Sequence, residues 1–565
     1  MHFNRILFTI LAALLIFTSC NQSSDLSNAI PADANYILRI DTKSLVEKSQ
    51  YDLFKNPTVQ QGLNMYRVFL KDDAKIKLLD DFLKNSNALG LDVKGEVYVF
   101  SNLKVYGVVI GVNDADKLKE VVSGLYPGSD LNVTKDGNTY SITPGSDGAI
   151  AWNNKRFVIL ADIRNAYNDP GNAADALDVN QLSKDLLVQG ADKSINSNKE
   201  YVEFAKTQKD FSVFFSMKGL DKMESLGLSY LPYGLSYMDP MKKMLSQFEG
   251  VSTGVNGSFE KGEIVLSSKY YFESAESEKK FKDLAAQMSG TIKGDHLRFI
   301  ESDPVVAFTA NVKGMGVFDY LKTLGIISKL DSDSRDAKVK EQLLSILQSC
   351  EGDVTMALTS FEKKNSNTTQ PDVVVEDTKI EGDSSVLDEE LVFEDGSNTL
   401  DNVSPKFYVM ADVSKPDDIK RLLSDLIKEN EFVCENLEEG KYLVDLDGEK
   451  VYFGVNKNTF FATNNKSVYD NLNKDGLKNN YTELVKGKSV IFFGDFAKLK
   501  DLSGIDRSTA QFLPYLSPLD KYQYTANTSD LSGEGKVTFV DKDKNSLAVI
   551  CDQIDKAITN LGSMF

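Results

Sequence analysis

Cys20 carries the most explicit chemistry in this sequence. It closes the stretch Leu15-Ile16-Phe17-Thr18-Ser19-Cys20, the end of an apolar run that starts at Ile6 behind the cationic Arg5. A run of that length fits the roughly 7 to 15 residues of a secretory signal and falls short of the about 20 that a spanning helix needs. Small residues just before a cysteine, here Thr18 and Ser19, have the form of a lipidation signal in which the thiol takes a diacylglyceryl group. The expectation is a signal peptide over 1–19, a lipid on Cys20 and a polar tether over 20–29. Each buried methylene contributes about 0.8 kcal/mol, so several acyl chains on one terminus anchor a chain durably where one would not.

Other reactive side chains are sparse. Beyond the signal, His296 is the single histidine, which excludes a His-rich metal site and restricts acid and base chemistry near neutral pH. Cys350, Cys434 and Cys551 cannot all pair within one chain, and none has the spacing of a zinc or redox motif. Asp541, Asp543 and Asn545 with Asp552 imitate a calcium loop. Ser546, however, stands where that loop needs Gly, and its last ligand is Asp instead of a bidentate Glu, so a polar turn is expected and no metal. The Ser-x-x-Lys pairs Ser101/Lys104 and Ser360/Lys363 fall at strand ends instead of opening a helix, and the Gly-Leu-Ser-Tyr segments at Gly227 and Gly234 lack the closing Gly of a nucleophile elbow. No catalytic residue and no cofactor are expected. A net charge of −19 without a Lys/Arg cluster argues against nucleic acid.

The segment Tyr230-Leu-Pro-Tyr233-Gly-Leu-Ser-Tyr237-Met238-Asp-Pro-Met241 is the candidate binding surface, since Tyr and Met on adaptable loops suit interfaces and apolar ligands. Its Leu-Pro-Tyr core recurs as Leu513-Pro514-Tyr515, which also fits packing within a repeated unit. The lone Trp152 reads as core.

The elements that must carry these residues come in two matching sets. Strand 106–112 and helix 114–125, with Asn113 as expected cap and Leu118, Val121, Val122 and Leu125 as its apolar stripe, return as strand 407–413 and a helix expected to be capped by Ser414, with Ile419, Leu422, Leu423 and Leu426 in the same stripe at one constant offset. Outward from there, Asp33, Asp41 and Lys43 match Asp303, Asn311 and Lys313; Gly95-Glu96-Val97 matches Gly352-Asp353-Val354; Ser212 to Phe215 matches Ser489 to Phe492; and Gly262-Glu263-Ile264 matches Gly535-Lys536-Val537. Helices are further predicted over 44–54 and 58–83. The predicted fold is α+β and internally duplicated: two homologous lobes, 30–295 and 296–565, each with largely antiparallel sheet and flanking helices. The second copy carries an acidic insertion over 361–404 with the composition of disorder.

The cysteine, the opening Ile30-Pro31-Ala32-Asp33-Ala34 running into Ile40-Asp41-x-Lys43-Ser44-Leu45, and the length together resemble a family of Bacteroidetes lipoproteins known only as a domain of unknown function. That resemblance implies the cell envelope, most simply the outer membrane, and no activity. The functional expectation is a non-enzymatic, lipid-anchored binding or scaffolding protein whose partner, besides the membrane, is a protein, a glycan or an apolar ligand. The alternatives are a carboxylate-dependent hydrolase and a carrier of lipid-like cargo in a groove between the lobes.

Overall fold

Among the described residues, twenty strands, all paired antiparallel, form one continuous sheet. The computed structural model describes residues 26–70, 73–84, 86–125, 133–145, 148–162, 177–220, 238–329, 334–363, 403–429, 433–446, 448–475, 477–499 and 514–562. Its first ten strands are β1 (Tyr36–Asp41), β2 (Leu91–Ser101), β3 (Val105–Val112), β4 (Thr134–Asp136), β5 (Thr139–Gly145), β6 (Gly148–Trp152), β7 (Arg156–Asp162), β8 (Phe211–Ser216), β9 (Val251–Glu260) and β10 (Glu263–Phe272). The second ten are β11 (Val306–Lys313), β12 (Cys350–Lys363), β13 (Val403–Val413), β14 (Cys434–Glu438), β15 (Lys441–Leu446), β16 (Glu449–Asn456), β17 (Thr459–Thr463), β18 (Val490–Asp495), β19 (Leu519–Asn527) and β20 (Ser532–Phe539).

Across the sheet the first ten run β4-β5-β6-β7-β3-β2-β1-β8-β9-β10. β10 then pairs with β20, and the rest run β20-β19-β18-β11-β12-β13-β17-β16-β15-β14. The order therefore reads the same from either edge, each strand facing its counterpart ten numbers on.

Alternation along the strands gives the sheet two differently covered faces. The front face holds two separate cores. One packs Ile37, Phe100, Val158 and Phe214 against Leu26, Ile30, Tyr201 and Phe204; the other packs Ala307, Tyr408, Phe461 and Phe493 against Leu297, Ile300 and Val485. On the back, the predicted stripe of helix Ala115–Leu125 covers the outer strands through Leu118, alongside Trp152, whose indole donates to the Ala115 carbonyl at 3.1 Å. Ile419 of helix Pro416–Glu429 does the same over β13, β16 and β17.

The last helix of each half lies on the other half. Helix Ser546–Gly562 packs on helix Thr42–Ser49, and its Asp555 accepts from Tyr51 and Asn56 at 2.7 and 2.6 Å. Helix Ala275–Met288 packs on helix Gly314–Thr323, with Lys313 reaching the Ala286 carbonyl at 2.8 Å. The calcium-like segment 541–545 is part of this crossing. The Asp541 carboxylate accepts from the Asp543 and Lys544 amides, while Asn545 donates to the Phe259 carbonyl of the opposite half at 2.9 Å. Gly262, held at φ 69, sits so close that a Cβ would lie 2.7 Å from Lys542 Cα.

Several expectations need correction. The tether cannot extend to 29: Leu26–Ala29 is a short helical turn with Leu26 and Ala29 buried in the first core. Helix 58–83 is two helices, Pro57–Leu70 and Asp73–Lys84, folded together so that Arg67 meets Asp80 at 2.7 Å. Helix 44–54 runs instead over Thr42–Ser49 and stops where Gln50 turns left-handed at φ 50. Asp114, not Asn113, caps its helix through the Lys117 amide, and Ser414 bonds Ser349 instead of capping. The match of Val213 to Val490 is slipped by two residues, because the register sets Leu38 beside Val213 and Phe308 beside Phe492. A slip of two leaves every side chain on its face, so the hydrophobic pattern does not betray it. Gly262, in a turn, has no likeness to Gly535 in mid-strand. The ends of insertion 361–404 are strand, with Phe361 opposite Pro405 and Lys363 opposite Val403; 364–402 lies outside the described residues.

Candidate functional site

Each half holds a buried polar cluster that ties several of its strands together. In the first, Arg39 is 8 % exposed, bonds Glu96 at 2.6 Å and meets Asp41 at 3.3 Å. Burial opposes its charge, but the two carboxylates more than offset that and hold its pKa up. In the second, Asp353 is 1 % exposed and accepts from the Lys293 and Gly294 amides and the Asn311 side chain, at 2.8, 2.7 and 2.9 Å. Next to it Asp412 accepts from the Asp353 amide and contacts His296 Nε2 at 3.0 Å. Burial raises the Asp412 pKa, yet the histidine and that amide outweigh it and the net direction is down. Both carboxylates of this cluster are engaged in tying the chain together.

Where the halves meet, the pattern changes. Reading the register along one line of the front face gives Arg39, Ser212, Asn256, Ser267, Glu534, Thr525, Ile491, Thr309 and Thr355, a polar row broken once. The line one residue over, on the back, gives Ile40, Phe211, Gly257, Leu266, Gly535, Tyr524, Phe492, Phe308 and Met356. Of these, Leu266, Tyr524, Phe492 and Met356 are exposed.

The polar row forms the floor of a cavity of about 340 Å³ between the two front cores, spanning β9, β10, β20 and β19. Its walls include Thr207, Tyr271 and Lys269 from the first half and Lys488 from the second. Gly254 in the floor is required: a Cβ there would meet Phe204 at 2.3 Å. Asn256 is 5 % exposed, and its Nδ2 donates to Thr207 Oγ1 at 3.1 Å. Its Oδ1 is buried and has no partner among the described residues. Asp92 Oδ1, Gln208 Nε2 and His296 Nδ1 are buried without a partner in the same way, so what sets the join apart is the cavity and its polar lining. A larger hollow of about 710 Å³ lies near Asn35 and Lys218, where Asn35 bonds two carbonyls and Lys218 meets Glu273 at 2.9 Å.

A protein-family model described as a domain of unknown function, DUF4836, matches residues 26–547. The chain belongs to the DUF4836 family. No curated protein and no solved structure matches it. The matched span of this DUF4836 protein opens at the first buried turn and takes in all twenty strands.

Of the residues singled out from sequence, Cys20, Tyr230, Tyr233 and Tyr237 lie outside the described residues. Met238 and Met241 fall in helix Met238–Gln247, whose first side chains are likewise not described. Cys350, Cys434 and Cys551 are free thiols. Sequence reasoning passed over Asn256. Its signal was present in Ser252, Gly254, Asn256 and Ser258, small or polar at every second position of a strand, but that pattern also describes a solvent-facing edge.

Proposed function

We propose that this DUF4836 protein is a non-enzymatic binding lipoprotein of the bacterial outer membrane, held by a lipid on Cys20. Two duplicated lobes join along β10 and β20, and a small polar ligand occupies the front cavity at the join. The duplication is supported by the mirrored strand order and the exchanged terminal helices; the lipid rests on the sequence around Cys20. With Leu26 already in the core, residues 20–25 reach at most about 20 Å, so the body would ride close to the bilayer. The observation that carries the binding role is the cavity at the join, floored by the polar row Asn256, Ser267, Glu534 and Thr525.

The rival, an apolar cargo, is favoured by the exposed Leu266, Tyr524, Phe492 and Met356 on the back. Native mass spectrometry of the lipidated chain, purified from envelopes, separates the two. A bound small molecule retained by Phe492→Lys and lost from Ser267→Arg, which fills the cavity from an exposed position, is the expected result. Loss in Phe492→Lys with retention in Ser267→Arg moves the site to the back, and no adduct in any form overturns the binding role. A wild-type chain and a Cys20→Ala variant that pellet equally with membranes would remove the lipid anchor.

A further inference from the structure

The larger hollow, of about 710 Å³, lies where β1 begins and β8 ends and shares no residue with the cavity at the join. We infer that it is a second site, which takes a primary amine in its ammonium form on the carboxylate of Glu200. Glu200 is 8 % exposed, yet no hydrogen bond or ion pair reaches its carboxylate from the described residues. A glutamate buried to that degree is nearly always paired, because a charge taken out of water is costly unless another meets it. Unlike Asn256 Oδ1, its two oxygens keep some accessible surface, and Glu200 lines the hollow. The helix it belongs to does not account for it. Helix Lys199–Ala205 is capped by Asn198, whose side chain accepts from the Tyr201 amide at 2.9 Å.

The cations around the hollow do not answer Glu200. Lys218 meets Glu273 at 2.9 Å, and that hydrogen bond is the main cause of its raised pKa; Glu200 acts on it only as a charge at a distance. Lys104 and Lys199 line the hollow from exposed positions, and neither forms an ion pair with Glu200. The unmet group is thus an anion, and its complement is a cation. A metal ion such as calcium needs several oxygen ligands, and among the described residues no group of three His, Cys, Asp or Glu is placed to hold one. Quaternary ammonium groups are recognised by aromatic faces, and the described lining of the hollow holds no aromatic side chain. A primary ammonium brings three donors to a group that only accepts, and such charge-assisted bonds are the strong ones. The volume sits within the roughly 300 to 1,000 Å³ of ligand sites, which leaves room for the body of the amine.

The test is calorimetry and ligand-observed NMR at low salt on the full chain, first washed in high salt to strip bound cations. The probes are ethanolamine, cadaverine and trialanine, with choline and calcium chloride beside them. At least one primary amine is expected to bind, tenfold or more weaker in Glu200→Gln and in Ala32→Arg, which reaches into the hollow from an exposed position. Choline is expected to bind at least tenfold less tightly than that amine. Ser267→Arg, which fills the cavity at the join, should leave amine binding unchanged; loss there would move the amine to the join and overturn the second site. Choline bound as tightly as the best amine, or calcium bound through Glu200 with no amine, overturns the assignment. So does amine binding indifferent to both Glu200→Gln and Ala32→Arg, or no binding of any probe. Glu200→Gln should also unfold at or above the wild-type temperature in amine-free buffer, since a neutral amide is less costly to bury than an unpaired charge. A midpoint lowered by several degrees would show the carboxylate serving the fold and would remove the site.

Discussion

The polar groups within each half and those between the halves answer to different demands. Arg39 with Glu96, and Asp353 with Asn311 and two amides, stand on corresponding strands, use different residues, and in both cases close their hydrogen bonds internally. At the join the row of polar side chains continues and lines a cavity, whereas the unpaired Asn256 Oδ1 has equivalents inside the halves in Asp92 Oδ1 and His296 Nδ1. The lesson is that buried polar groups packed among their partners serve the fold, and that the same kinds of group become candidates for recognition where they line a cavity.

The comparison predicts the size and sign of substitutions. The largest loss is expected from Arg39→Ala, which takes the buried guanidinium from Glu96, Asp41 and the Lys209 carbonyl; with Glu96 partly exposed and still bonded by Tyr98, the loss should be about 3 kcal/mol, measurable by urea unfolding. An unchanged midpoint would mean that the cluster is not holding the first half together. Asp353→Ala should follow, at about 1–3 kcal/mol for stranding the Asn311 amide and two backbone donors.

A smaller effect with opposite signs in the two halves concerns Asp92 and Asp412. Their carboxylates press on Gly95 and Gly352, glycines that match in sequence and sit at like places on β2 and β12. Burial pushes the Asp92 pKa up against bonds from the Lys94 and Gly95 amides and Asn113, whereas His296 helps take that of Asp412 down. A depressed carboxylate adds stability above its unfolded pKa and loses it as pH falls through the folded one; a raised carboxylate adds stability at low pH and loses it as pH rises. Asp412→Asn should thus lower the unfolding midpoint at pH 7, with the difference vanishing below the ordinary aspartate range. Asp92→Asn should raise the midpoint at pH 7 and change nothing in acid. Parallel pH profiles of the two variants would contradict this. Smallest is Asp555→Ala at the exposed crossing helix, expected to lower the unfolding midpoint only slightly through the loss of its bonds to Tyr51 and Asn56.

Much of the fold was legible because alternation and helical stripes report local geometry. Strand β1, the Leu118 stripe with its counterpart at Ile419, and the buried Trp152 all follow from period and residue type. What escaped was set by tertiary contact. The β10 to β20 pairing that fuses the halves has no local signature, and the exchange of the final helices depends on which half each reaches. The reversal between Leu70 and Asp73 interrupts a pattern that would suit one long helix equally well. The candidate site was illegible for the same reason. Asn256 gains its meaning from Thr207, Ser267 and Thr525, which the register and the loops bring beside it from distant parts of the chain.

The most direct test needs no ligand. If Asn256 serves the cavity and not the fold, Asn256→Val, which loses one unpaired buried oxygen together with the bond to Thr207 and also suits a strand, should unfold close to the temperature of the ligand-free wild type. Thermal unfolding of the two proteins decides the matter. A midpoint lowered by several degrees would mean that the amide serves the fold, and the cavity would lose its claim as a binding site.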